Sequence, residues 1–439
     1  MKPFQIKDYL PEEKTVPNTG SRGSVRQNLR ELFRRFYELS RFRKEIYEIA
    51  QNPESFWENN SEAVYQKLVE ILNNEQLTNP DIEIAIPVHK NRQDLVVLFY
   101  SLSRLDTKSL PPIKILITLH NSDETTKKFV YQLKDRLKNR IRVVELNDKI
   151  LSGAAIGWQL LAYFTTGKKV AFLDADSSFS SDWLKQLYQS ISSDNTFLAV
   201  TGPRRYLNSD IMGEVYNLSV LIFLELRNLI NRPFVKLVSG NSIVDGPTLR
   251  GLIKQSKSIG GWRVDGFLQD YIAKCGYQIK FVPTTILTSG EKENGTIKER
   301  FGILRILKRF LTGLANVGIR LTSQDQIVTF YLTQKVARYV PWTRKIIEKW
   351  VFNNYNISRK EIYQLLDEEA SERGFLKDPR YQRGMQELRS KFESLPDFGQ
   401  SKRMSPQDLA YILEYEIIEH IFQPIALESF QSLLEKQIK

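Results

Sequence analysis

Between Ile82 and Leu173, short apolar runs alternate with segments of helical periodicity. Each run has the length of a strand that is buried on both faces of a sheet. Each connecting segment is long enough for a helix, a pattern typical of a mostly parallel sheet between two helical layers. The predicted strands are Ile82–Val88, Ile113–Leu119, Ile141–Leu146 and Val170–Leu173, and the predicted helices are Gln93–Leu105, Ser122–Leu137 and Ala154–Phe164. The sequence therefore predicts an α/β fold.

Helical segments flank this α/β region on both sides. The chain before Asp81 has a polar start followed by helical periodicity, and the chain from Asp325 onwards reads as wholly helical. We therefore predict three parts: an N-terminal arm with helices over residues 1–80, an α/β domain over 81–324 and a C-terminal helical domain over 325–439.

The net charge of +12 is concentrated in the predicted α/β domain. Residues 81–324 contain 34 basic and 22 acidic side chains, whereas the two flanking parts are each balanced. A basic domain suits an anionic substrate or an anionic surface. Neither a zinc-finger spacing nor interleaved basic and aromatic residues are present, so we do not expect nucleic acid as a partner.

Cysteine content and hydropathy bear on location. The single Cys275 excludes a disulfide framework within the chain, no apolar run is long enough for a transmembrane helix, and the N-terminus lacks a signal-peptide pattern. We therefore expect a cytoplasmic protein.

Arg22, Arg26, Arg30 and Arg34 follow an apolar helical stripe. This pattern favours internal packing, while peripheral contact at the inner face of the membrane and a homo-oligomer stay open.

Two carboxylates follow the predicted strand Val170–Leu173. Asp174 and Asp176 are two residues apart, and in extended backbone such side chains point the same way. Carboxylate oxygens are the ligands that Mg²⁺ and Mn²⁺ prefer. Open α/β sheets bind ligands where strands end. The pattern therefore predicts a site for Mg²⁺ or Mn²⁺, and the alternative is a polar turn without metal.

Residues 82–290 resemble the GT-A fold of family-two-type glycosyltransferases. The matching motifs are Ile84-Ala85-Ile86-Pro87-Val88, Gly153-Ala154-Ala155, Asp174-Ala175-Asp176, Gly240-Asn241, and Gly260-Gly261-Trp262 followed by Val264-Asp265. The last segment also resembles the glucosyl-3-phosphoglycerate synthase branch. The resemblance implies a GT-A nucleotide-sugar domain that transfers a sugar from a nucleotide-diphosphate sugar to an acceptor hydroxyl, using Mg²⁺ or Mn²⁺.

The resemblance also implies roles for individual residues. Asp265, with Asp270 about one helical turn later, is the candidate catalytic carboxylate, and Glu291 is a candidate third metal ligand beside Asp174 and Asp176. The candidates for donor binding are Pro87, His89, His120, Lys149, Gly153, Asp174, Gly240 and Asn241, with Arg204 and Arg205 as further candidates for phosphate contacts.

The chain departs from the family pattern where the nucleobase is expected to bind. Acidic residues usual after the first and second strands are replaced by His89-Lys90-Asn91-Arg92 and by Leu119-His120-Asn121. A degenerate, non-catalytic domain that binds a membrane surface or a partner is therefore an alternative to a glycosyltransferase. A nucleotidyltransferase is less favoured, because Pro87-Val88-His89-Lys90 is not a glycine-rich phosphate loop.

Asp265→Asn separates catalysis from helix capping at this position. A carboxylate that removes a proton from the acceptor cannot be replaced by an amide, so turnover should collapse while donor binding persists. Asn is also a good N-cap, so the variant should remain folded. Steady-state turnover and calorimetric donor binding are the measurements, and an active variant would leave Asp265 with a capping role or, with a retained anomer, a positioning role.

Overall fold

The computed structural model describes residues 42–72, 80–89, 92–148, 158, 161–193, 197–202, 204–207, 240–255, 272, 277–282, 284–288, 341–353, 356–394 and 405–438. Its larger sheet has seven strands: β1 (Ile82–Val88), β2 (Ile113–His120), β3 (Ile141–Leu146), β4 (Lys169–Leu173), β6 (Phe197–Thr201), β8 (Asn241–Asp245) and β9 (Gln278–Phe281). A smaller sheet has three strands: β5 (Ser177–Phe179), β7 (Arg204–Tyr206) and β10 (Ile286–Thr288).

The order of the larger sheet is β3-β2-β1-β4-β8-β6-β9. Strand β1 is parallel to both β2 and β4, whereas β8 is antiparallel to its neighbours β4 and β6. This mostly parallel sheet confirms the predicted α/β class. Because the chain proceeds from β1 to β2 and β3 on one side and then crosses to β4 on the other, the strand order reverses between β1 and β4. In open α/β sheets a crevice forms at this point.

Helices of the α/β region cover the larger sheet, and the first two have boundaries within three residues of the predicted Gln93–Leu105 and Ser122–Leu137. They are α2 (Arg92–Leu102), α3 (Glu124–Leu137), α4 (Trp183–Ser192) and α5 (Gly246–Gln255), and they follow an earlier helix, α1 (Pro53–Ile71). Helix α3 starts at Glu124, two residues after the predicted Ser122, because the Asp123 carboxylate caps it by accepting a hydrogen bond from the Thr126 amide at 2.8 Å.

The one charged side chain within β1 is satisfied by backbone donors. Glu83 is 2% exposed, and its carboxylate accepts hydrogen bonds from the amides of Thr166 at 2.6 Å and Gly167 at 3.0 Å. A buried carboxylate is costly without such partners. Glu83 therefore anchors the turn that leads into β4, at the opposite end of the strands from the crevice.

The N-terminal helices belong to the same packed body. Trp57 on α1 packs against Phe129 on α3, with ring centroids 5.0 Å apart. In the helical residues 42–51, Ile46 is fully buried in a cluster with Leu207 and Leu287, and the Arg43 Nε donates to the Leu207 carbonyl at 2.8 Å. The stripe beside Arg22, Arg26, Arg30 and Arg34 lies outside the described residues, so its internal packing stays a prediction.

The C-terminal helices share a hydrophobic core that reaches the sheet. They are α6 (Pro341–Phe352), α7 (Arg359–Arg373), α8 (Pro379–Ser394), α9 (Pro406–Tyr411), a π-helical segment (Ile412–Phe422) and α10 (Gln423–Ile438). The Trp342 ring stacks on Phe375 at 4.2 Å and meets the Phe422 ring edge at 4.4 Å. Tyr163 contacts Phe430 at 5.4 Å, which joins this core to the α/β region. The three predicted domain boundaries stay predictions.

Asn241 joins the two sheets through a fully buried amide. Its Nδ2 donates to the Thr284 carbonyl at 2.9 Å, just before β10, and its Oδ1 accepts from the Trp183 Nε1 at 2.8 Å, at the start of α4. Its backbone carbonyl accepts from the Thr201 hydroxyl and the Gly202 amide at the end of β6. One residue therefore ties β8, α4, β6 and the approach to β10 together.

Replacing Asn241 with alanine should destabilise the protein. The Trp183 indole N–H and the Thr284 carbonyl would lose their partners inside the core, at a cost of about 1–3 kcal/mol for each. We expect the thermal midpoint to fall by roughly 5 °C or more. Asn147→Ala is the control, because Asn147 is exposed and its side-chain amide donates to the Glu145 carboxylate at the surface, at 2.8 Å. Equal midpoints for the two variants would contradict the role given to Asn241.

Candidate functional site

The candidate site lies where the strand order of the larger sheet reverses. The parallel strands β1, β2, β3 and β4 all end at this edge, and the residues that follow them are His89, Asn121, Asn147 and Asp174. Loops rather than strands supply these side chains, as is usual for ligand sites on a rigid sheet. The edge therefore brings together polar groups from four separate segments of the chain.

Asp174 and Asp176 lie in a tight turn after β4. The strand ends at Leu173, and the Ser177 amide donates to the Asp174 carbonyl at 3.1 Å. The expectation of extended backbone here is wrong, because β5 leaves in a different direction to join the smaller sheet. Both carboxylates are nevertheless partly exposed on either side of Ala175, which is 5% exposed. The turn therefore keeps both acids at the surface of the crevice.

These two carboxylates suit a hard divalent cation. Mg²⁺ is commonly held by one or two carboxylates, with substrate phosphates and water completing the octahedron. Across the described ranges no group of three or more histidine, cysteine, aspartate or glutamate side chains could hold a metal. Asp174 and Asp176 therefore fit a metal that shares its coordination sphere with a phosphate-bearing ligand.

Asp174 forms an ion pair with Arg204, which the sequence suggested only as a phosphate contact. The Nη2 of Arg204, on β7, donates to the Oδ2 of Asp174, and the two side chains are 28% and 21% exposed. Gly240 lies directly against this pair. A Cβ at Gly240 would overlap the Arg204 guanidinium and the Asp174 carboxylate, so this close approach requires glycine. Contact between Gly240 and a donor stays a prediction.

His89 and His120 meet at the ends of β1 and β2. The Nδ1 of His89 lies 2.7 Å from the carbonyl oxygen of His120. Because a carbonyl only accepts, Nδ1 must carry the proton. His89 is exposed, whereas His120 is 6% exposed. His89 is thus the histidine available to a ligand from this edge, and Pro87, half-buried within β1, lies two residues before it.

Asn121 links the residues that follow β2 to those that follow β3. Its backbone has a left-handed φ of 49°, which asparagine tolerates better than most residues. Its amide donates to the Asp148 carbonyl at 2.8 Å and accepts from the Asp148 amide at 2.9 Å. The position at which the family usually has an acidic residue is therefore used here to join two loops. The tolerance of asparagine for positive φ was the available signal, and sequence reasoning missed it.

The other predicted site residues differ in burial, and some of them lie outside the described residues. Asn241 is fully buried with its amide engaged as described above, so its environment is structural and donor contact stays a prediction. Arg205 is 6% exposed, which leaves less of it available than Arg204. Lys149, Gly153, Asp265, Asp270 and Glu291 lie outside the described residues.

The length and polarity of the helices decide whether any of them could cross a membrane. Within the portions of the chain that the structure describes, every helix is too short or too polar to cross a bilayer.

Comparison with known protein families gives a match for the part of the chain that contains this site. Residues 83–245 match the family model described as Glycosyl transferase family 2. This range begins in β1 and ends with β8, and it includes the Asp174–Asp176 turn, Arg204 and Gly240. No curated protein sequence matches the chain.

Two solved structures are similar to this one at low sequence identity. A mannosyltransferase from Pyrobaculum calidifontis, in complex with GDP-Man and Mn²⁺, has 13% identity and a TM-score of 0.40, covering 76% of this chain and 100% of that protein. A glucosyl-3-phosphoglycerate synthase from Mycobacterium tuberculosis, in complex with Mn²⁺, UDP and phosphoglyceric acid, has 14% identity and a TM-score of 0.35, covering 59% of this chain and 84% of that protein. Residues 83–245 therefore match Glycosyl transferase family 2, and the mostly parallel sheet with its flanking helices is consistent with the GT-A fold.

Proposed function

We propose that the protein is a metal-dependent glycosyltransferase that moves a sugar from a nucleotide-diphosphate sugar to an acceptor hydroxyl. The observation that supports this most directly is the acidic turn after β4, at the strand-order reversal of a family-two domain. Two partly exposed carboxylates at this point suit a cation that is shared with a diphosphate. The basic character of residues 81–324 also favours a multiply charged anionic donor.

Asp174 and Asp176 would hold the Mg²⁺ or Mn²⁺, with Glu291 as the candidate third ligand. When bound, this cation would offset the negative charge that builds on the departing diphosphate. His89, exposed at the end of β1, would contact the base or the phosphates, and Lys149 would contact the phosphates. Preorganised charges of this kind lower the barrier because they need not reorient during the reaction.

The acceptor side of the site depends on Asp265 in this proposal. In an inverting reaction its carboxylate would take the proton from the attacking hydroxyl as the new glycosidic bond forms and the bond to the diphosphate breaks. In a retaining reaction the same carboxylate would orient the acceptor or the sugar. Asp270 would face the same cleft. Both outcomes are compatible with the family resemblance, and the anomeric configuration of the product distinguishes them.

The location proposed for this enzyme is the cytoplasm, where nucleotide-sugar donors could reach the crevice. Peripheral contact of the arginine stripe Arg22, Arg26, Arg30 and Arg34 with an anionic membrane surface, and a homo-oligomer, are compatible with this proposal. The single cysteine and the charge distribution support it.

Alanine substitution of either Asp174 or Asp176 should abolish transfer and leave the fold intact. Removing a metal ligand should cost several kcal/mol of transition-state stabilisation, or on the order of a thousandfold in turnover. The assay is release of nucleoside diphosphate from a panel of UDP- and GDP-sugars, with Mg²⁺, with Mn²⁺ and with chelator. Asp135→Ala is the matched control, since Asp135 is exposed on α3.

Two results would decide against the proposal or part of it, and a third would invalidate the assay. Near-normal turnover in both site variants at saturating metal would show that the metal assignment is wrong. Donor binding by the unmodified protein without any turnover would favour the non-catalytic alternative. Loss of turnover in the Asp135→Ala control would show that the assay reports general damage rather than loss of a metal ligand.

A further inference from the structure

The carboxylate that would bind the metal already holds a cation that belongs to the protein. Arg204 contributes its guanidinium to Asp174, in an ion pair beside the end of β4. A guanidinium on one carboxylate oxygen neutralises most of the charge that would attract a metal. It also repels a divalent ion that approaches the other oxygen. Binding of Arg204 and binding of a divalent cation at Asp174 therefore oppose each other.

The smaller sheet holds both members of this ion pair in place. Strand β5 begins at Ser177, at the end of the turn that carries Asp174, and it pairs with β10. Strand β7, which carries Arg204, pairs with the other edge of β10, in the register Arg204 to Ile286. The absence of a side chain at Gly240 leaves the space in which the two groups meet. The pair is thus positioned by the sheet and is not a chance contact between two surface side chains.

A second ion pair at the other end of β4 provides an internal comparison. Lys169 pairs with Asp245 at 3.0 Å, and these side chains are 26% and 20% exposed, close to the values for Arg204 and Asp174. Burial alone would raise the pKa of Asp245, but hydrogen bonds from Thr248 and Lys169 hold that pKa below its ordinary value. The Asp245 carboxylate also accepts a hydrogen bond from the Thr248 amide at 3.1 Å, so this pair lies at the N-terminus of α5 and satisfies one of its backbone donors. It lies away from the crevice.

We propose that Arg204 is an internal counter-cation that competes with the divalent metal for Asp174 and moves onto the donor diphosphate when metal and donor bind. This inference rests on the proposed function. Arginine suits both positions, because its planar guanidinium matches carboxylate and phosphate oxygens equally well. The competition makes metal binding weak until a diphosphate offers Arg204 another partner. By linkage, the nucleotide must then strengthen metal binding by the same factor by which the metal strengthens nucleotide binding.

The test compares the wild-type protein with Arg204→Ala, Arg204→Gln and the control Lys169→Ala. The first measurement is the affinity for Mn²⁺ alone, by electron paramagnetic resonance. Removing the competing cation should raise this affinity about tenfold in both Arg204 variants. Lys169→Ala removes an ion pair of similar exposure on the same strand and should leave Mn²⁺ affinity unchanged.

The second measurement is calorimetric binding of UDP and of GDP at saturating Mg²⁺. Here the Arg204 variants should bind the nucleoside diphosphate about tenfold more weakly, because the diphosphate has lost a cationic partner. The proposal thus predicts effects of opposite sign on metal alone and on nucleotide. A purely structural role for Arg204 would weaken both.

Each outcome decides the question. Unchanged or weaker Mn²⁺ binding in a folded Arg204 variant would overturn the inference while leaving the proposed function intact. Failure of the wild-type protein to bind either nucleoside diphosphate at saturating Mg²⁺ would overturn the proposed function and the inference with it. Thermal midpoints verify folding, and Arg204→Gln retains much of the side-chain volume if Arg204→Ala is unstable.

Discussion

The buried amide of Asn241 holds the two sheets in the relation on which the site depends. Its side chain bridges Trp183 and Thr284, and its backbone carbonyl accepts hydrogen bonds from the Thr201 hydroxyl and the Gly202 amide. Gly240 is its neighbour in the chain, so fixing Asn241 also fixes the space in which Asp174 and Arg204 meet. A polar junction of this kind is stable only when every member is bonded, which makes its geometry specific. The crevice therefore depends on a contact made behind it, in the core.

The strands of the larger sheet were predictable where local sequence and burial agree. Ile82–Val88 and Ile141–Leu146 have the predicted boundaries, because apolar and β-branched residues fill both faces of a covered sheet. Strand β8 was not predicted. Its residues Asn241, Ser242 and Asp245 are poor strand formers, and long-range pairing with β4 and β6 overrides that preference. The three-residue strands of the smaller sheet carry too short a pattern to be recognised.

The candidate site was predictable in its chemistry and only partly in its geometry. Asp174 and Asp176 follow the strand as expected, yet they lie in a turn whose direction is set by pairing of β5 with β10. The ion pair with Arg204 joins positions 30 residues apart, which no local spacing can indicate. Asn121 bonds to Asp148 across 27 residues in the same way. Contacts of this kind depend on how strand ends meet, and a single sequence carries little information about them.

The most direct test of a cation site at the acidic turn is anomalous diffraction from crystals of the full chain soaked with Mn²⁺ and a nucleoside diphosphate. The account predicts one Mn²⁺ peak at about 2.1 Å from carboxylate oxygens of Asp174 and Asp176. It also predicts that the Arg204 guanidinium has left Asp174 and contacts the diphosphate. A Mn²⁺ bound elsewhere, with the ion pair between Arg204 and Asp174 intact beside a bound nucleotide, would contradict it.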